Sequence, residues 1–406
     1  MKRINFRRVF IMAGLMTLVF VYAILWAQMI SSQAERTGAD FIVFFAAGRI
    51  AQSDGAAHVY EPALQQAVEQ EQVGFALAPG QILLYNHVPY LIPILQVLIS
   101  GNYVASFYRW ATLLLVLGTA GGILLAGEFR RAGWRQAEVW LAVAGMLTFF
   151  PLFVSVLNGQ DSAFTFLGLC LYLAGILTGR DWLVGVGLAL TSIRPQVTVL
   201  LAVPFLFRRQ KVFGWFCLAA GVLGVLSLVI LGVDGTRGFL NLLLVSVGGE
   251  WYGLKEPLMV NLVGLIWRIA AGLGANVIHW TGWAVYAAAL IGLCILWKRS
   301  RDITEKQIGL AIVVTVFVVP HLHYHDLTLL LVALAAALLV VVRGGFLRVQ
   351  KAALVPLALS VALLLSNFAL ILKLNFPYLV MLLLGLALYL PGLIFHSKGS
   401  SVTIQK

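Results

Sequence analysis

The chain has 406 residues, 61% of them hydrophobic and 11% charged, with a mean hydropathy of +0.95. That composition excludes a soluble globular domain, because too few polar side chains exist to cover one. The formal charge of +12 comes from short basic clusters between apolar runs, the pattern of cytoplasmic loops on anionic lipid, so no nucleic-acid partner is expected.

Apolar runs of roughly 20 residues, enough to cross about 30 Å of hydrocarbon, recur from end to end. At that length only helices satisfy their own backbone in lipid. In chain order, about twelve transmembrane helices are predicted, at 9–30, 82–100, 103–127, 137–157, 161–178, 182–207, 212–232, 276–297, 306–320, 324–342, 352–372 and 376–395. The fold class is therefore an all-α integral membrane bundle, a single polytopic domain over 1–406 with no repeat or soluble domain. The first run has basic flanks and no small-residue cleavage site, and reads as a retained anchor. Pro195 lacks an amide donor and can divide 182–207 into two half-helices. Cys170, Cys217 and Cys294 are scattered through apolar runs and read as packing residues.

Lys2, Arg3, Arg7 and Arg8 place the N-terminus in the cytoplasm. Alternate counting then brings 208–211, 298–301, 343–351 and the tail 396–406 to the same side, which makes a multi-pass protein of the inner (plasma) membrane. Arg130, Arg131 and Arg135 fall outside under this count. They mark either a tolerated exception or a misread hairpin within 82–127.

Two amphiphilic stretches, 31–87 and 233–275, are assigned to the outer face, with amphipathic helices at 40–52 and 62–72 in the first. Asp40 stands ten residues past the first apolar run. Asp is a favoured N-cap, but an acid at the bilayer surface of an acid-poor chain is also a candidate general base. Tyr60 and the 85–90 segment read as interface anchors at the return into the membrane. Arg194, deep in an apolar stretch, needs a partner: an anionic lipid headgroup gripped by its planar fork, or water reached by snorkelling. The 158–161 turn reads as structural. His321, His323 and His325 beside Asp326 suit a metal, a plain interfacial loop, or, as the preferred reading, phosphate or sugar binding; no metal is assigned. Trp251 among glycines and Asn261 in 259–265 combine an aromatic face for a pyranose ring with an amide for its hydroxyls, a mixture that equally suits a bilayer interface. Neither a Walker loop, a dinucleotide fingerprint, a zincin motif nor a nucleophile elbow is present.

The order of these features, from the 40–49 segment with Asp40 and Arg49 through Tyr60, Asn86 to Pro89, 158–160, 194–196 and 261–265 to the 320–326 loop, resembles glycosyltransferase family 87 along most of the chain. This family of GT-C enzymes is similar to bacterial polyprenyl-phosphate-mannose-dependent mannosyltransferases. The resemblance implies a GT-C-type bundle, a polyprenyl-phosphate sugar donor, and inverting transfer at the outer face to a glycolipid or glycan acceptor, with no cofactor required. The family's first-loop aspartate falls on Asp40 and its histidine-bearing loop on His321 to His325. Arg194 stands where many relatives carry lysine, and 86–89 replaces a more usual aromatic-Pro-Pro.

The resulting expectation is a mannosyltransferase. Asp40 is its base, and one of His321, His323 or His325, with Arg194, meets the donor phosphate. Arg49, Tyr60, Asn86, Trp251, Asn261 and Asp326 line the pocket. Such an enzyme requires Asp40 and the histidine loop to share one site. A transporter or flippase of lipid-linked sugars, with Arg194 and the histidines on its path, is the alternative; a noncatalytic assembly scaffold is a third.

Overall fold

The computed structural model describes residues 6–78, 81–247 and 256–398. Trp251 with its glycine neighbours and the end of the tail lie outside them. All regular structure among the described residues is helical. α1 (Phe6–Ser31) turns Met12, Met16, Val19 and Phe20 outward, as a helix in lipid does. Short α2 (Gln33–Gly38) is capped by the Ser32 hydroxyl, which accepts from the Glu35 amide. α3 (Phe41–Ser53) buries ten of its thirteen residues, so its apolar side chains are covered by protein and not by the bilayer interface. α4 (Pro62–Val73) starts on a proline and closes on Gly74 in the left-handed conformation.

The expected span at 82–100 is not there. Residues 82–88 contain no helix, and two of their amides are bound by α4: Gln65 Oε1 accepts from the Tyr85 amide at 2.7 Å and Glu69 Oε2 from the Leu83 amide at 3.3 Å. Pro89 biases Val88 to extended backbone. A single turn at Pro89–Leu91 then leads into α5 (Ile92–Leu98), and the two together are far too short to cross hydrocarbon.

The chain continues through α6 (Tyr103–Arg131), α7 (Gln136–Leu147), α8 (Phe150–Asn158) and α9 (Ser162–Thr178). α10 (Asp181–Leu190) and α11 (Pro195–Ala202) are half-helices broken at Arg194, as Pro195 suggests. A methyl group on Gly168 would come within 2.6 Å of the Gly187 carbonyl oxygen, so the α9–α10 crossing depends on two side-chain-free positions. α12 (Gln210–Val247) runs on past the expected end at 232, bent where Gly232 takes φ 63°. α13 (Leu262–Ala270), α14 (Ala275–Arg299), α15 (Glu305–Val318), α16 (Leu330–Arg343), α17 (Val349–Ala352), α18 (Val355–Ser366) and α19 (Leu370–Lys398) complete the bundle.

Among the described residues, seven helices are long and apolar enough to span a membrane, or eight if α7 and α8, bent by 45°, count as one crossing. The expectation was about twelve. Besides 82–100, the differences are α9, α15 and the α10–α11 pair, which are shorter. α9 and α15 are largely sheathed by other helices, and a sheathed helix is not obliged to match the bilayer's thickness.

The missing span also settles the basic cluster that disagreed. α6 leaves Tyr103, whose hydroxyl donates to the Arg36 carbonyl, and reaches Arg130 and Arg131 after 29 residues, about 44 Å at 1.5 Å per residue. There Arg131 pairs with Glu128, which also lies in electrostatic reach of Arg343. Arg343 pairs with Glu305, Arg209 with Asp181, and Arg208 donates to the Arg301 carbonyl. All these bases share one end of the bundle. Counting 82–100 as a crossing and 182–207 as a single crossing introduces two parity errors that cancel after residue 207. Only the bases between them were misplaced.

Candidate functional site

At the opposite end, four loops converge between the two apolar cores. The first carries Asp40. It occupies the N-cap position of α3, but its side chain makes no capping bond, so its carboxylate remains available at a half-buried position.

The second loop is the 158–161 turn, which alternate counting put at the wrong end. Gly159 is essential to its position. Its φ of 71° is left-handed, and a Cβ there would stand 2.6 Å from the Phe41 Cβ, so only glycine allows the turn to rest on the residue beside Asp40. Trp110 Nε1 donates to the Gly159 carbonyl at 2.7 Å. Asp161, fully buried, comes two residues later.

Arg194 forms the third contribution, and its partners within the protein are two carboxylates and an amide. Nη2 donates to Asp161 Oδ1 at 3.1 Å, to Asp326 Oδ1 at 3.0 Å and to Gln160 Oε1 at 3.4 Å. Its Nε is buried without a hydrogen-bond partner. The guanidinium is thus anchored on one side by two carboxylates, with the energetic logic of a buried ion pair.

The fourth loop is 319–326. Asp326 accepts from the Ser162 hydroxyl at 3.0 Å and from the His323 amide at 3.1 Å, and lies 3.5 Å from His325 Nε2. It is therefore a hub of the network and not simply a pocket wall. The His321 and His323 rings meet edge-on at 4.9 Å, and His323 and His325 lie 6.0 Å apart. Burial, reinforced by His325, pulls His323 down to about 4. Burial, with His323 and Arg194 beside it, holds His321 well below the usual imidazole range. Burial thus disfavours the protonated form of both rings in the free protein. They present N–H donors or lone pairs, and the fixed positive charge is that of Arg194.

These loops share electrostatics as well as space: Asp40 interacts with both Arg194 and His323. Sequence reasoning missed Asp161 and His87. His87 Nδ1 donates to Asp161 Oδ2 at 2.7 Å, and the Tyr60 hydroxyl donates to the His87 carbonyl at 2.6 Å. Burial would raise the Asp161 carboxyl, but His87 and Arg194 together hold it below the carboxylate range. The available signal was an acid next to a Gly-Gln turn in an apolar setting, which wrong parity concealed.

The remaining expected pocket residues are supports or lie elsewhere. Tyr60 braces His87. Asn261 caps α13, accepting from the Gly264 amide at 2.9 Å, and donates to the Val319 carbonyl at 2.7 Å, while the Val260 amide donates to the Leu322 carbonyl at 3.2 Å. It therefore fastens the histidine loop from behind. Arg49 faces Gly101 and forms no ion pair among the described residues. Asn86 is half-buried next to His87 and joins no side-chain hydrogen bond among the described residues. Among the described residues no group of three or more His, Cys, Asp or Glu has a metal-holding arrangement.

Residues 89–320 match the family model of glycosyltransferase family 87, more than half of the chain. Asp161 and Arg194 fall within the match; Asp40 and the histidines fall outside it. No curated protein matches the chain.

Proposed function

Because the chain belongs to glycosyltransferase family 87, we propose that it transfers a sugar, mannose, from a polyprenyl-phosphate donor to a hydroxyl of a glycolipid or glycan, on a GT-C-type bundle at the outer face of the inner membrane. The positive-inside rule supports the orientation, since the bases gathered at one end face the cytoplasm and the site then faces out. The observation that carries the reading is the convergence of an uncapped Asp40 with Arg194 and His323 at one end of an apolar bundle.

The acceptor O–H bond breaks and its proton passes to the Asp40 carboxylate. The acceptor oxygen bonds to the anomeric carbon as the bond from that carbon to the phosphate oxygen breaks, and the electron pair leaves with polyprenyl phosphate. One displacement inverts the anomeric centre. Arg194 is held by Asp161 and Asp326 through a single nitrogen, and its remaining edge meets the leaving phosphate. His321 and His323 donate N–H bonds to the same group, and gain affinity for a proton when that anion arrives. The prenyl tail lies among the lipid-facing helices, so the enzyme works where its donor is dissolved.

Purified protein in detergent, given radiolabelled polyprenyl-phosphate mannose and a synthetic octyl hexopyranoside, tests this directly. Labelled disaccharide product is expected. A flippase has no second compartment to fill in that assay and yields none, and absence of product from folded protein would overturn the transferase reading.

A further inference from the structure

A cleft of about 270 Å³ opens between α2, the C-terminal end of α4 and the start of α6, lined by Gln33, Arg36, Thr37, Gln72, Asn102 and Tyr103. None of the residues of the Arg194 network lines it. We propose that this cleft is the acceptor subsite, and that it holds one uncharged sugar ring of the acceptor while a hydroxyl of that sugar, or of its neighbour, reaches Asp40. The assignment rests on the transferase reading.

Three observations support it. The first is location: the floor is α2, the segment that runs directly into Asp40, and the Tyr103 hydroxyl donates to the Arg36 carbonyl at 2.8 Å while interacting electrostatically with Asp40. The Tyr103 ring packs edge-on against Phe41 at 5.1 Å, so one wall is shared with the helix that Asp40 begins.

The second is chemistry. The lining combines the amides of Gln33, Gln72 and Asn102, the Thr37 hydroxyl, the Tyr103 phenol and the Arg36 guanidinium with Gly101 and the apolar Val104, and holds no carboxylate. The side chains of Gln33 and Gln72 have no hydrogen-bond partner within the described protein, and Asn102 uses only its oxygen, to accept from the Ala105 amide. Amides that both donate and accept match the alternating demands of sugar hydroxyls. Arg36 does not make this an anion site: one of its nitrogens is bound to the Ile30 carbonyl at 2.6 Å, and the acids Asp40 and Glu69 both interact with Tyr103 in the same wall.

The third is size. The volume falls just below the roughly 300–1,000 Å³ of sites for drug-sized ligands, which suits one pyranose and not an oligosaccharide or a lipid chain.

Gly101 provides a clean test. A Cβ there meets only Arg49 Nη1, at 3.9 Å, and its backbone is not left-handed, so Gly101→Leu fills the cleft without forcing the main chain. With polyprenyl-phosphate mannose as donor and an octyl hexopyranoside as acceptor, Gly101→Leu and the Gln33→Ala/Gln72→Ala pair are expected to raise the acceptor KM about tenfold or more, leaving the donor KM within about twofold. Saturation-transfer NMR with methyl α-mannopyranoside should show contact to the wild type and none to Gly101→Leu. Transfer that persists with an unchanged acceptor KM, or glycoside contact retained in Gly101→Leu, would overturn the subsite while leaving the transferase intact. A folded wild type that transfers nothing would overturn the transferase reading and the subsite with it.

Discussion

Replacing Arg194 with methionine should be the most destabilising single change in the network. Its Nη2 lies 3.1 Å from Asp161 and 3.0 Å from Asp326, and the side chains of the two acids are 0% and 4% exposed. Removing one partner of a buried pair costs about 3–5 kcal/mol, because a charge is left without compensation. Here two carboxylates lose the same cation. His87 still donates to Asp161, and Ser162 and the His323 amide still donate to Asp326, so the penalty should stay near 3–5 kcal/mol instead of doubling. At about 1.4 kcal/mol per decade, that is a population shift of about 10²- to 10⁴-fold. Thermal unfolding of protein in detergent, followed as a rate because such unfolding is commonly irreversible, is the assay. The triple variant Arg194→Met/Asp161→Asn/Asp326→Asn removes all three charges and should recover most of the loss while remaining inactive. Arg194→Lys keeps the charge without the fork and should fall between. If Arg194→Met unfolds no faster than wild type, the pairing does not hold the loops together and the reasoning fails.

Three further outcomes rest on the same geometry. Gly159→Ala combines a left-handed backbone with a Cβ 2.6 Å from Phe41 and should cost about 2–4 kcal/mol; circular-dichroism melts check this, and kcat should fall because the Phe41 contact also positions Asp40. Burial pushes Glu69 up to about 7, against the Leu83 amide that favours its ionised form. The folded state then holds its proton more tightly than the unfolded chain, so Glu69 stability is intact below about pH 4.5 and is lost as pH rises toward 7; Glu69→Gln should leave low-pH melting unchanged and raise it above about pH 7. His323 has the opposite sign, with its folded value near 4 below the unfolded 6.5, so stability should fall as pH drops through 6.5 to 4 and His323→Gln should flatten that slope.

Asp40 and the 321–326 loop were legible in the sequence because polar residues are conspicuous in a chain this apolar, and the helices at 40–52 and 62–72 were found within a residue of α3 and α4. Pro195 likewise announced the break at Arg194. The 82–100 segment deceived because its apolar side chains serve protein contacts and not lipid, which composition cannot distinguish. In its non-helical first part the Leu83 and Tyr85 amides are bound by Glu69 and Gln65, side chains that belong to a different helix. That single misreading moved Asp161 to the wrong end and hid the acid that anchors Arg194. The partner of Arg194 was unreadable for the same reason: Asp161 and Asp326 meet only through the folding of α8, α9 and the histidine loop.

The central claim, that Asp40 takes the acceptor's proton, is tested most directly by the transfer rate of Asp40→Asn in detergent under saturating donor and acceptor. Asp40 makes no capping bond, so the variant should melt with the wild type while kcat falls by about 10²- to 10⁴-fold, the usual contribution of a general base. A folded Asp40→Asn protein that turns over at the wild-type rate would contradict the account.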